Sequence, residues 1–137
     1  MAKFKQGEDL TLKILVVEDE VDVNLASAVD VRVVLEVGNL VIDKFAKAVQ
    51  PEILPTTVPP TYGPAVVPAG YKPAVVNASK SNQVDLVLNS AVTKLYPTGA
   101  VKATVQADFT DVTFADGIRT ESYEVWVATI EKGKTPL

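Results

Sequence analysis

Apolar and polar residues alternate with a period of two along much of this chain. Leu10, Leu12, Ile14 and Val16 are apolar, with Thr11 and Lys13 between them. A strand puts every second side chain on the same face, so these four predict a core-facing strand. Glu18, Asp19, Glu20 and Asp22 interrupt the pattern as an exposed connection, and Val23-Asn24-Leu25 reads as a short edge segment. The clearest strand follows: Val29, Val31, Val33, Leu35 and Val37 alternate with Asp30, Arg32, Val34 and Glu36. Gly38-Asn39 is a two-residue turn of the kind that closes hairpins, so residues 40–45 are expected to return as the partner.

After residue 80 the alternation resumes at Val84, Leu86 and Leu88. Residues 89–95 suit one helical turn capped by Asn89 or Ser90 and stopped by Pro97-Thr98-Gly99. Val101, Ala103, Val105, Ala107 and Phe109 form a second long strand, and Val112-Thr113-Phe114 a short one. Asp116-Gly117 is a turn signal. Tyr123, Val125, Val127 and Thr129 are assigned one face of the last strand, with Trp126 and Ile130 on the other. Either Tyr123 or Trp126 is expected in the core, leaving the other for a contact surface.

The stretch from 46 to 80 is different in kind. Prolines stand at 51, 55, 59, 60, 64, 68 and 73, and no residue between Glu52 and Lys72 is charged. Proline lacks the ladder donor and fixes φ, which argues against a central strand or a helix. A short repeat is present, Tyr62-Gly63-Pro64-Ala65-Val66-Val67 and then Tyr71-Lys72-Pro73-Ala74-Val75-Val76. Stiff polyproline segments lose little entropy on docking. The expectation is an extended, proline-rich arm inserted between strands. Its partner-binding residues would be Ile53, Leu54, Val58, Tyr62, Val66, Val67, Tyr71, Val75 and Val76.

About seven strands joined by short turns, with no long amphipathic helix, predict an all-β fold. The expected form is an immunoglobulin-like antiparallel β-sandwich occupying 1–137 as one domain. A chain of 137 residues, 47% hydrophobic and 22% charged, is long enough to bury a core without staples.

Four segments carry a family resemblance. They are Phe4-Lys5-Gln6-Gly7-Glu8-Asp9-Leu10-Thr11-Leu12, Val23-Asn24-Leu25-Ala26-Ser27-Ala28, Gly99-Ala100-Val101-Lys102-Ala103 and Phe114-Ala115-Asp116-Gly117. Their order resembles the N-terminal β-sandwich of the baseplate upper protein family of phages. It is also similar to immunoglobulin-like decoration domains of tailed-phage heads. The resemblance implies a non-enzymatic bacteriophage virion protein, made in the host cytoplasm. It would attach at the head, a head fibre, or the tail or baseplate. Its partners would be other virion structural proteins and copies of itself, as a homo-oligomer. A carbohydrate- or surface-binding β-sandwich is the alternative.

Charge and chemistry narrow the classes further. There is no cysteine and no histidine, which removes thiol nucleophiles, thiolate metal sites and the commonest general base. The net charge of −4 disfavours nucleic acid, whose phosphates call for a basic face. The start lacks the apolar core of a signal peptide, and no uninterrupted apolar run suits a membrane span. Glu18, Asp19, Glu20 and Asp22 lack calcium-loop spacing and read as a solvated loop. Asp108, Asp111 and Asp116 could meet at one end of a sandwich, yet Asp116 is accounted for by its turn. Ser27, Ser79, Ser81, Ser90 and Ser122 have no G-x-S-x-G setting. Neither a catalytic residue, a cofactor nor a metal is therefore expected.

Overall fold

The alternating segments assemble as one sheet that curls upon itself. The computed structural model describes residues 2–50, 52–54 and 61–133. Its strands are β1 (Ala2–Lys5), β2 (Leu10–Leu15), β3 (Val17–Glu18), β4 (Val21–Asp22), β5 (Asp30–Val37), β6 (Leu40–Lys47), β7 (Glu52–Leu54), β8 (Thr61–Tyr62), β9 (Lys72–Val76), β10 (Gln83–Leu88), β11 (Gly99–Thr110) and β12 (Ile118–Glu131). One short helix, α1 (Ser90–Thr93), precedes β11. Eight strands form the main sheet in the order β1-β12-β11-β5-β6-β9-β10-β2. With 58% strand and 6% helix, the fold is all-β.

The two edge strands, β1 and β2, are neighbours in sequence. Only residues 6–9 join them, so the sheet must curl until its edges approach each other. Gly7, at φ +86°, makes that corner. The α1 turn fastens it: the Gly7 N–H donates to Thr93 Oγ1 (3.1 Å), and that hydroxyl donates to the Glu8 carbonyl (2.8 Å). Gln6 Nε2 donates to the Tyr96 carbonyl at 2.7 Å. As expected, Asn89 caps α1, its side chain accepting from the Val92 N–H. The inward residues of β2, β5, β10 and β11, including Ile14, Val33, Leu86 and Val105, enclose one core with Phe45 and Ile130.

The hairpin at Gly38-Asn39 forms as the turn signal requires, with Gly38 at φ +62°. The exclusively antiparallel expectation is corrected. β1 runs parallel to β12, and β6 runs parallel to β9. A parallel neighbour needs a long crossover, and residues 48–71 supply one between β6 and β9.

Smaller corrections follow local chemistry. Val29 is exposed just before β5 begins, and its N–H donates to the Asp108 carbonyl at 2.8 Å. In place of an edge segment, Asn24 caps a single 3-10 turn, Leu25–Ser27, that drives Leu25 fully into the core. Val112-Thr113-Phe114 is a turn, because Asp111 Oδ1 accepts from the Thr113 N–H (3.0 Å). The acidic run forms a ribbon, β3 with β4, whose turn residues Asp19 and Glu20 both adopt positive φ.

Two bulges set the phase of the sheet. Opposite β5, the pairing passes from Glu36↔Val41 to Leu35↔Asp43, which leaves Ile42 as the extra residue. Opposite β11 it passes from Lys102↔Trp126 to Val101↔Ala128, with Val127 extra. A one-residue slip exchanges the two faces of a strand. Ile130 is therefore a core residue on the same side as Tyr123, and Thr129 is not, whereas Tyr123 and Thr129 were expected to share a face. Tyr123 packs against the core, whereas Trp126 is 63% exposed.

Candidate functional site

The expected arm divides into two parts. Residues 72–76 are not arm at all: β9 lies between β6 and β10, a central place in the sheet despite Pro73. The ladder to β10 involves Val75 and Val76 alone, so Pro73 stands opposite β6 but outside the β10 pairing. That placement accommodates a missing donor. Val76 packs against the core and Val75 is exposed.

The remainder is a hairpin. Val49 pairs with Val66, Glu52 with Tyr62 and Leu54 with Thr61, all antiparallel. β7 and β8 form a two-stranded sheet of their own, separate from the main one. Ile53 and Leu54 lie on β7, and Tyr62, on β8, is 54% exposed. Val66 is exposed and Val67 half-buried. Val58 lies outside the described residues. Tyr71 is held within the chain: Arg32 stacks over its ring at 5.0 Å and donates to its hydroxyl at 3.2 Å. The two repeats thus meet different fates. Ala74 of the second is buried beside β6, while Ala65 of the first is exposed at the base of the hairpin.

A second feature was missed by pattern alone. A groove of about 300 Å³ is lined by Leu40, Val41, Val92, Leu95, Tyr96 and Pro97, with Asp43 and Lys72 among its lining residues. The bulge at Ile42 turns Asp43 onto the face of β6 that opposes buried Leu35. A carboxylate in that position requires partners. Asp43 Oδ2 accepts from the Tyr96 hydroxyl and from Lys72 Nζ, both at 2.6 Å. Its Oδ1 accepts from the Lys44 N–H at 3.0 Å. Burial, followed by the hydrogen bond to Asp43, pushes the Tyr96 hydroxyl well above the usual tyrosine range. The cluster ties the turn after α1 to β6 and β9. The signal that could have found it is the spacing of Ile42 and Phe45, which cannot share one face of an unbulged strand.

The expected carboxylate group does not converge. Asp108 accepts from Thr120 Oγ1 (2.6 Å), Asp116 from the Ile118 N–H (3.1 Å), and Asp111 from Thr113 with Arg119 at 3.8 Å. The Thr113 N–H holds the Asp111 carboxyl below the ordinary range. Tyr123 donates to Glu121; burial first, then that bond, raises its hydroxyl, and Glu18 of the β3–β4 ribbon adds to the shift. Among the described residues, no three acidic side chains are grouped as a metal site. Among them, too, no helix is long and apolar enough to cross a membrane.

Comparison with protein-family models, curated proteins and solved structures finds no match.

Proposed function

We propose that this chain is a non-enzymatic attachment module of a virion-type particle, an immunoglobulin-like sandwich that joins structural partners through its β7–β8 hairpin. One observation carries the reading. The hairpin is a two-stranded ribbon apart from the main sheet, with no charged residue between Glu52 and Lys72. Ribbons of two strands are marginal in water and gain stability when a face is covered. Contact with a partner would cover Tyr62 and Val66, which are exposed in the single chain. At roughly 25 cal/mol per Å² of apolar surface, a few such side chains hold a docking contact.

The rival, a carbohydrate-binding module, calls for an aromatic-lined groove. The groove beside β6 has aliphatic walls, and its single tyrosine, Tyr96, is 4% exposed. The attachment reading is preferred on that ground.

The test spares β9. Residues 52–62 are replaced by Asn-Gly, which closes a short turn above the Val49–Val66 bridge. The shortened chain is expected to keep its strand circular dichroism and cooperative melting, but to stop co-sedimenting with assembled particles from its native source. Co-sedimentation at the level of the parent chain would remove the hairpin from the mechanism.

A further inference from the structure

Most of the outer edge of β12 has no strand partner, although β2 and Glu18 of the β3–β4 ribbon come near this strand. β1 pairs only with Ala128–Glu131. On its other side β12 pairs with β11 along its length, interrupted only at the Val127 bulge. Among the described residues, nothing pairs with the outer edge of residues 118–127. Alternate residues there direct N–H and C=O groups away from β11, along about 30 Å of strand. Such an edge is a template for another strand.

Of the devices that blunt an edge, this segment carries charge, at Arg119, Glu121 and Glu124, but lacks the others. Residues 118–126 contain no proline and no lysine, and the bulge comes only at Val127. Ile118, Thr120, Tyr123, Val125 and Trp126 all favour strands. Trp126, next to the bulge, is 63% exposed.

We infer that this edge pairs with the same edge of a second copy, antiparallel about a two-fold axis at Ser122. The occupant follows from self-complementarity. Centred on Ser122, Ile118 faces the copy's Trp126, Arg119 faces Val125, Thr120 faces Glu124, and Glu121 faces Tyr123. No like charges stand directly opposite, whereas parallel pairing in register would set Glu121 against Glu121 and Arg119 against Arg119. The paired length also fits the opening. It runs from Ile118, where the 111–117 turn ends, to Trp126, just before β1 begins. Covering Trp126 with Ile118 places an aromatic anchor at each end of the interface. The result is a continuous sheet across two chains with closed, isologous symmetry.

This deepens the attachment reading by naming a contact between copies, separate from the hairpin. The chain has no cysteine, so a single introduced one reports only contacts between chains. Ser122→Cys is expected to oxidise to a disulfide-linked dimer, and Ser79→Cys, on an exposed turn, is not. Light scattering over a concentration series is expected to show the parent rising from 14.6 kDa toward twice that mass. Ser122→Lys, which sets two ammonium groups across the axis, should stay at the monomer mass and still melt cooperatively, at a temperature that no longer depends on concentration. The hairpin-shortened chain should dimerise like the parent, so each contact succeeds or fails by itself. A parent chain that is monomeric at every concentration overturns the inference. So does Ser122→Cys cross-linking no faster than Ser79→Cys.

Discussion

Thr93 is fully buried, and its single hydroxyl serves two backbone groups of the corner between the first two strands. Valine has the same shape without the hydroxyl. Thr93→Val would leave the Gly7 N–H and the Glu8 carbonyl without that partner, at a cost of about 1–3 kcal/mol. Urea denaturation should show this as a lowered midpoint with an unchanged slope. Tyr96 makes a different prediction. Its hydroxyl ionises in the unfolded chain near the ordinary value of 10.0, but only at higher pH in the folded one. The folded state therefore holds the proton longer, and this contribution to stability is whole below pH 10 and lost as pH rises above it. Tyr96→Phe should cost about 1 kcal/mol at neutral pH, through the lost bond to Asp43. Melting temperatures of the two proteins should converge above pH 10. A gap of constant size across that range would refute the assignment.

At the scale of elements, the Val127 bulge is the informative case. Its removal restores regular alternation: Val125 inward, Trp126 outward, Ala128 and Ile130 inward. Deleting Val127 should preserve a cooperative fold at a cost of about 1.5–3 kcal/mol for the lost buried side chain. Deleting Val105, in the unbulged middle of β11, would flip the rest of that strand and should abolish cooperative unfolding. Circular dichroism and thermal melts of the two deletions settle the point. The same two positions explain what the sequence disclosed. β2, β5, β10 and β11 were legible because their alternation is unbroken, and the Gly38 turn fixed the hairpin between β5 and β6. The bulges were less legible, since a phase change needs two apolar clusters compared across it, Tyr123 to Val127 against Ala128 to Ile130. β9 was hidden for another reason. Pro73 reads as a strand breaker unless the neighbouring strand is known to start its pairing two residues later.

For the whole molecule, the hairpin arm was legible as a composition anomaly, but its pairing was not, because Val49 and Val66 share no local pattern. The Asp43–Tyr96–Lys72 cluster joins residues from three distant segments and leaves no mark in any one of them. One further consequence lies in the pairing of Ala2 with Ala128. β1 can find its neighbour only after β12 has been made. Until then β11 has β5 on one side and bare backbone on the other. Closure of that edge thus joins segments far apart in sequence, a contact of the kind that slows folding.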